Sequence, residues 1–475
     1  MESPVSKRVI GLIAAVVLVV VGLVVVSPWD SPSESAAGGG VPSCTAGSVG
    51  ECPVVTSSSS AAVTASASSA TPSTTTPPVT TTVPPRDELD LPLVPWEGGP
   101  KYYGQFAKAG AWTDPNFFPV AVWGATVGTQ EDVDLDKAVG INTYLELYDT
   151  PRLDLIRKAG MFALHDQTTN PHLGSETVGW LLADEPEQFG QGDALNLLRA
   201  NASALPNDGR MRYTNFTANM IWPNYAPEGE TAEQWLDVNS AASLDTYWYG
   251  RYMGCDRLSY PDLPALNQSL LTEAECYRPF NYGYGVTKQR EIAASSGKME
   301  SVFGFVENGR PYAENAAIKP DQLRGSVMSM LIHGARGINY FNHTYGDWCT
   351  SSNNFRYTAQ QGGDCYAEMT KAATKVNGQI KALAPVLNTQ SYQWELNPSL
   401  DTMLKLHDGN AYVFAMGKGI PGGTATGSFD LTLPADVRGT SVEVVDEGRT
   451  IPVVSGKFTD TFASDTTYHI YKVRA

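Results

Sequence analysis

Carboxylates stand directly after two strongly apolar runs of the sequence. The segment "GWLLADEPEQFG" (179–190) leaves its apolar run at Asp184 and Glu185, and "SVFGFVENG" (301–309) leaves its run at Glu307. Two carboxyl groups can hydrolyse a glycosidic bond when one is protonated and donates to the leaving oxygen while the other is ionised. Glu185 and Glu307 are therefore candidate catalytic residues.

Each motif also has a purely structural interpretation. Asp184, Glu185 and Pro186 could cap and open a helix, with Glu187 facing the helix dipole. Glu307 could be a turn residue before Asn-Gly. The presence of both motifs at the ends of apolar runs favours the catalytic interpretation.

Eight apolar runs alternate with amphipathic or loop segments and are predicted to be strands: 117–127, 141–147, 161–167, 176–185, 211–217, 242–249, 300–308 and 337–344. Strands that alternate with helices predict a parallel sheet, and eight of them favour an α/β fold of the (β/α)8 TIM barrel type. A doubly wound sheet is the alternative, but "VWGATVGTQ" is a poor Gly-rich turn. In a barrel, the carboxyl ends of the strands form one mouth, so the fourth and seventh strands would place their glutamates nearly opposite one another.

Further polar and aromatic residues at the predicted strand ends or in nearby loops could hydrogen-bond or stack on a sugar. These candidates are Asp184, Trp123, Glu146, His165, Asp166, Asn215, Tyr247, Trp248, Asn342, His343 and Trp348. Structural alternatives stay open for several of them. Both histidines could serve as loop or supporting residues, and the aromatic "DTYWYGRYMG" segment could simply pack.

The pattern resembles clan A of the glycoside hydrolases. A Glu before Pro at the end of strand four, a Glu at the end of strand seven and the "FFPVAVWG" opening strand carry the resemblance, which covers about residues 100–475. It implies that Glu185 is the acid/base and Glu307 the nucleophile of a retaining β-glycosidase. It also implies that Tyr247 or Tyr249 hydrogen-bonds the nucleophile.

One residue departs from the clan pattern, because Asp184 stands where that clan usually has Asn. A carboxylate can still accept a hydrogen bond from a sugar hydroxyl. Its charge should raise the pKa of Glu185, as a general acid requires.

The chain is predicted to have five parts: a cytoplasmic N-terminus (1–8), a transmembrane signal-anchor (9–27), a disordered Ser/Thr/Pro-rich linker (28–86), the barrel (87–385) and a C-terminal β-sandwich (386–475). The apolar run Val9–Val26 is long enough to span a bilayer, and Lys7 and Arg8 before it orient the rest of the chain outside. A cleaved signal peptide is the alternative. Short alternating segments with turns and without helices predict the sandwich.

The net charge limits which partners the protein can bind, and the cysteines indicate its compartment. A net charge of −17 argues against nucleic acid and anionic lipid, so the membrane would be met only through the N-terminal helix. No nucleotide-binding loop is present, and neither a cofactor nor a metal is expected. The six cysteines predict three local disulfides, Cys44–Cys52, Cys255–Cys276 and Cys349–Cys365, in an oxidising compartment.

Three classes of function fit these features. The favoured one is a membrane-anchored retaining glycoside hydrolase outside the cell, acting on an oligo- or polysaccharide that could belong to the cell envelope. The alternatives are a non-catalytic glycan-binding protein on a barrel scaffold, and an inverting glycosidase or other barrel hydrolase. Carboxyl separation distinguishes the two glycosidase mechanisms, at about 5–5.5 Å for retaining and 6.5–9.5 Å for inverting enzymes.

Overall fold

The computed structural model describes residues 88–95, 98–189, 193–221, 230–250, 273–297, 300–311, 316–345, 349–419 and 425–475. Eight parallel strands form a closed barrel in chain order, and β8 pairs with β1 to complete it. They are β1 (Val120–Ala125), β2 (Thr143–Leu147), β3 (Phe162–Leu164), β4 (Thr177–Asp184), β5 (Met211–Thr217), β6 (Ala241–Asp245), β7 (Ser301–Glu307) and β8 (Ile338–Phe341). Each predicted run overlaps one of these strands, so the prediction of a barrel is confirmed.

Eleven helices lie within the described residues: α1 (Pro100–Tyr103), α2 (Gln130–Ala138), α3 (Leu153–Lys158), α4 (Pro186–Phe189), α5 (Ala194–Ala204), α6 (Ala232–Leu236), α7 (Glu273–Cys276), α8 (Pro279–Ser295), α9 (Pro320–Ile332), α10 (Asn354–Gln361) and α11 (Ala367–Leu387). Local sequence explains where α2 starts. The Thr129 hydroxyl accepts the Asp132 N–H, and the Asp132 carboxylate accepts the Thr129 N–H at 2.9 Å. This reciprocal cap satisfies amide donors that have no partner inside the helix.

The barrel interior is filled by large side chains from alternating positions of the strands. Leu145, Leu164, Tyr213, Phe303 and Phe341 belong to one buried cluster. Helices cover the outer faces, so β1 and β7 are buried along their whole length. Burial on both faces is why these strands read as nearly continuous apolar runs in the sequence.

The C-terminal part consists of antiparallel strands: β9 (Ser391–Tyr392), β10 (Leu400–His407), β11 (Asn410–Gly417), β12 (Gly427–Thr432), β13 (Ser441–Val444), β14 (Arg449–Pro452), β15 (Lys457–Phe462) and β16 (Tyr468–Arg474). Six of them form a sheet in the order β14-β13-β16-β11-β10-β9, and β12 pairs with β15. Asp408 and Gly409 join β10 to β11, both with positive φ (49° and 65°), as expected for the Asp-Gly turn of a hairpin.

The six-stranded sheet has an apolar core on each face. Met403 and Phe414 pack in the same cluster as Val376 and Ile380 of α11. A second cluster joins strands β10 and β11 to β12 and β15, and Leu89 also belongs to it. The sheet is therefore packed directly against the helices of the barrel. The segment just before the barrel, which contains Leu89, packs against the C-terminal strands.

Several predictions fall wholly or partly outside this part of the chain. Cys349–Cys365 is confirmed as a disulfide, and Cys276 is disulfide-bonded. Cys44, Cys52, Cys255, Trp348, the anchor and the linker lie outside the described residues. Among the described helices, none has the length and apolar character needed to cross a membrane.

Candidate active site

Glu185 is held at the end of β4 by an unusual backbone conformation. Its φ of 45° lies in the left-handed region, and its N–H donates to the Asn215 carbonyl at 2.8 Å. That conformation is uncommon for residues other than glycine and clusters at functional sites. Helix α4 begins one residue later at Pro186, so "ADEP" does open a helix as well as ending a strand.

Asp184 and Asn215 form a fixed pair beside Glu185. The Asn215 amide donates to Asp184 Oδ1 at 3.0 Å, and Ser243 Oγ donates to Asn215 Oδ1 at 2.5 Å. The serine contact fixes which end of the amide faces Asp184. Burial raises the pKa of Asp184, although its side chain still reaches solvent. Both residues are therefore placed where the sequence predicted, next to the candidate acid.

The surroundings of Glu185 favour its protonated form. Burial raises its pKa most, and the charge of Asp184 raises it further, while a hydrogen bond with the Asp245 side chain acts in the opposite direction. The resulting pKa is about 7. Asp245 ends β6 and is 4% exposed, and Tyr247 hydrogen-bonds it. The sequence places Asp245 at the end of the sixth predicted strand, but Asp245 was not among the predicted site residues.

Glu307 ends β7 in a different environment. The Tyr282 hydroxyl donates to Oε2 at 2.7 Å, and the Gly250 N–H donates to Oε1 at 2.9 Å. The side chain is fully buried, and burial raises its pKa above the ordinary value, although both donors act to lower it. Donors to a carboxylate stabilise its charged form, so this arrangement is suited to an ionised group.

The expected tyrosine partner of Glu307 was wrong. The sequence placed it at Tyr247 or Tyr249, but the hydroxyl comes from Tyr282 on α8. Tyr247 instead packs on Phe341 with ring centroids 4.9 Å apart and hydrogen-bonds Asp245. The Tyr249 ring stacks on Tyr282 at 5.8 Å, and its hydroxyl has no partner among the described residues. Helix α8 reaches the site through tertiary packing, which no local pattern in the sequence reveals.

A second group of polar residues lies at the ends of β2 and β3. Glu146 also has positive φ (60°), and burial followed by the charge of Asp184 raises its pKa to about 7. A side-chain hydrogen bond from Tyr148 opposes the shift, and the charge of Asp166 adds to it. Glu146 thus lies near both Asp184 and Asp166, as their predicted positions at strand ends required.

His343 follows β8 and lies against Tyr148 and Tyr345. Its Nε2 is 2.9 Å from the Trp123 carbonyl oxygen, and its ring stacks on Tyr345 at 5.7 Å. Gly124, with φ of 64°, permits this approach, since a Cβ there would lie 2.6 Å from the Tyr148 hydroxyl. The His343 Nδ1 has no partner within the described part of the chain.

Other predicted sugar contacts are used inside the protein. His165 is fully buried, bonds Thr177 Oγ1 at 2.9 Å through Nε2 and accepts the Gln167 N–H at 3.1 Å through Nδ1. Asn342 is bonded to the side chains of Asn308 and Asn353 in a buried amide network. The structure does not present these two side chains to a ligand.

The two described tryptophans among the candidates are also packed. Trp123 points into the barrel, with its ring 5.8 Å from that of Phe305, and Trp248 is 3% exposed in the main core cluster. Neither forms an exposed platform for a sugar ring. Across the described ranges, no group of three or more His, Cys, Asp or Glu side chains could hold a metal ion.

No protein-family model and no curated protein matches the chain. Among solved structures, it is similar to the GH30 endoxylanase from Clostridium papyrosolvens C71 at 11% identity and a TM-score of 0.41, covering 75% of this chain and 97% of that chain. An Anoxybacillus alpha-amylase matches at 12% identity and a TM-score of 0.39, covering 75% and 98%. The alpha-amylase of Geobacillus thermoleovorans, complexed with acarbose, matches at 10% and 0.34, covering 76% and 99%. Likenesses this distant carry no argument about activity, so the function of the chain is inferred from its own residues.

Proposed function

We propose that this protein is a retaining glycoside hydrolase in which Glu307 is the nucleophile and Glu185 the acid/base. The observation that carries the proposal is the contrast between two glutamates at the ends of β4 and β7. Glu307 is held by two hydrogen-bond donors, whereas burial and the charge of Asp184 favour the protonated form of Glu185. In such a pair, the acid and the base are assigned from the neighbouring groups, which give the two carboxyl groups different pKa values.

The reaction follows as a double displacement. Ionised Glu307 attacks the anomeric carbon, while Glu185 gives its proton to the departing glycosidic oxygen. In the second half, the ionised Glu185 takes a proton from a water molecule, and that water releases the sugar from Glu307. Neither half requires a cofactor or a metal.

Substrate contacts are assigned to groups near Glu185. Asp184, which the buried Asn215 amide holds through a hydrogen bond, would bind the hydroxyl next to the anomeric carbon. Glu146 would accept from a further hydroxyl, because its buried Oε2 has no partner in the described part of the chain. His343 and the partly exposed Tyr345 beside it would border the same sugar.

The proposed location is outside the cytoplasm, with the barrel tethered through the N-terminal apolar segment and the linker. The Cys349–Cys365 disulfide supports this location, since disulfides persist in oxidising compartments. An extended linker of this composition would hold the barrel away from the membrane, which supports a polysaccharide of the cell envelope as substrate.

The test is hydrolysis of a panel of aryl glycosides and polysaccharides by residues 88–475, with Glu185→Gln and Glu307→Gln alongside. We expect both variants to lose most activity on substrates with poor leaving groups. An aryl glycoside whose phenol is strongly acidic needs no proton from Glu185, so it should restore the first step in Glu185→Gln but not in Glu307→Gln.

Four results would overturn the assignment. Activity retained by Glu307→Gln would remove it as nucleophile, and equal restoration of both variants by the activated substrate would exclude distinct roles. Release of the inverted anomer, followed by NMR, would establish the inverting alternative. A panel that is bound but never cleaved would support a glycan-binding protein instead.

A further inference from the structure

Asp245 is a deeply buried carboxyl group beside the proposed acid/base. We infer that Asp245 is a positioning residue, held as a neutral carboxylic acid that donates a hydrogen bond to the Glu185 carboxylate. The inference deepens the proposed function, because it rests on Glu185 as the acid/base of that reaction. It assigns a role to a residue that touches Glu185 rather than the sugar.

The contact between the two side chains requires a proton. Glu185 and Asp245 are hydrogen-bonded to each other, and two ionised carboxylates have only acceptors to offer. At least one of the pair therefore carries a proton whenever the contact exists.

Among the ionisable groups that face Asp245, only Tyr247, whose hydroxyl hydrogen-bonds it, favours a negative charge there. Asp184 and Glu185 approach from the end of β4, Tyr213 from β5 and Tyr247 from β6. All four are acids or phenols, and none carries a positive charge. Asp245 Oδ1 is buried and has no hydrogen-bond partner among the described residues.

Burial decides which of the two carboxyl groups keeps the proton. Asp245 is 4% exposed, whereas Glu185 is only partly buried. Because low-polarity surroundings penalise the charged form, the more buried group stays neutral to higher pH. Burial accordingly raises the pKa of Asp245 well above its ordinary value, and the pKa of Glu185 to about 7.

A neutral Asp245 has a definite part in the proposed reaction. When Glu185 gives its proton to the leaving oxygen, the new negative charge forms next to the Asp245 O–H, which donates to it. When Glu185 later takes a proton from water, the charge disappears again. Asp245 keeps its own proton throughout, so the proton count of both steps is unchanged.

Two near-isosteric substitutions test whether Asp245 acts as a neutral hydrogen-bond donor to Glu185, is needed as an acid itself, or does not act through Glu185. Asp245→Asn keeps a donor without a charge, and Asp245→Leu keeps the volume without a donor. We expect the asparagine variant to stay within about threefold of wild-type kcat/KM, and the leucine variant to lose about 10- to 100-fold. The basic limb of the pH profile should move to higher pH in the leucine variant, because the Glu185 carboxylate has lost its donor, and stay in place in the asparagine variant.

Two activity outcomes would overturn the inference. An asparagine variant as impaired as the leucine variant would show that the acid itself is needed. A basic limb that does not move in the leucine variant would show that Asp245 does not act through Glu185. Circular dichroism and melting temperature would establish folding, and Asp245→Ala would replace the leucine variant if that one does not fold.

A spectroscopic readout keeps the inference separate from the proposed function. The infrared difference spectrum of wild type minus Asp245→Asn at pH 8 should contain the stretching band of a protonated carboxyl group. The matched control, Asp193→Asn at an exposed carboxylate, should lack that band. Absence of the band in the Asp245 difference refutes a neutral Asp245, whatever the panel of substrates shows. If the band is present but no glycosidase activity is found, the proposed function is wrong and the inference of a neutral Asp245 is still supported.

Discussion

The donors around Glu307 determine what this buried carboxyl group can do. Burial alone would keep it protonated, and a protonated carboxyl is a poor nucleophile. The Tyr282 hydroxyl and the Gly250 N–H offset that cost by hydrogen-bonding one oxygen each. The ionised form of Glu307 therefore depends on a side chain from a different element of the fold.

Removal of the Tyr282 hydroxyl should weaken the nucleophile. A hydrogen bond to a charged group contributes about 1.5–3 kcal/mol, so Tyr282→Phe is expected to lower kcat/KM by about 10- to 150-fold. Its acidic limb should move to higher pH, because the ionised form of Glu307 has lost a donor. The matched control is Tyr249→Phe, whose hydroxyl has no partner among the described residues, and it should change kcat/KM far less. Equal losses in both variants would contradict this role of Tyr282.

Glu187 should make stability depend on pH. Its Oε1 accepts from the Thr217 N–H at 2.6 Å and from the Thr217 hydroxyl at 2.8 Å, while buried Oε2 has no partner in the described residues. Burial raises its pKa from 4.5 to about 7. The folded state thus binds this proton more tightly than the unfolded state, so the stabilisation is complete below pH 4.5 and is lost as pH rises through 7.

A comparison of Glu187→Gln with wild type measures how strongly stability depends on the ionisation of Glu187. Glutamine keeps an oxygen for Thr217 and cannot ionise, so the variant should match wild type at pH 4 and be more stable at pH 8 by up to about 3 kcal/mol. Urea unfolding at both pH values provides the comparison. A variant less stable than wild type at pH 8 would show that the negative charge of Glu187 stabilises the fold.

At the level of elements, the strands could be predicted from the sequence, but the backbone conformation at their ends could not. Apolar runs located all eight strands, because strands buried on both faces need continuous apolar sequence. The left-handed conformations of Glu146, Glu185 and Tyr247, with φ of 60°, 45° and 42°, have no such signature. The surrounding structure imposes these conformations, and no glycine stands at these positions to indicate them in the sequence.

The candidate site was predictable to the same extent. Positions at strand ends identified Glu185 and Glu307, since barrel topology brings those ends to one mouth. Tyr282 was missed because it lies within α8, where only packing of that helix against the barrel brings it to Glu307. For His165, a supporting role and a sugar contact both stayed open, because its buried partners, Thr177 and the Gln167 N–H, cannot be recognised in the sequence.

One buried ion pair connects α10 to α2, and its loss should destabilise the barrel. The Arg356 guanidinium donates to both oxygens of fully buried Asp136, at 2.9 and 2.5 Å, and Tyr144 donates to Asp136 at 2.9 Å. Removing Asp136 leaves the buried Arg356 guanidinium with Asp132, 3.1 Å from Nη1, as its remaining carboxylate partner, so Asp136→Ala should lower the free energy of unfolding by about 3 kcal/mol. Asp134→Ala, at an exposed position of the same helix, should change it by less than about 0.5 kcal/mol. Denaturant unfolding of both variants gives the comparison, and similar values would mean that the ion pair does not stabilise the fold.

At the scale of the whole molecule, the C-terminal strands and the barrel share apolar surface. Met416 and Ile470 of the six-stranded sheet belong to the cluster that also contains Val327 and Met330 of α9 and Ile380 of α11. A barrel without the sheet would expose that surface to water. The sheet is thus part of what stabilises the helices behind β7 and β8, and the two parts should unfold together.

Phe414→Ala tests that coupling, because the ring is fully buried between the sheet and the barrel helices. Loss of its packing should lower the free energy of unfolding by about 3–5 kcal/mol. If both parts form one cooperative unit, amide exchange should accelerate by similar factors in β10–β11 and in β1–β4. Val454→Ala, at a side chain 69% exposed, should leave exchange unchanged in both regions. Acceleration confined to the C-terminal strands would show that the barrel is stable without them, and a chain ending after α11 would then be expected to fold.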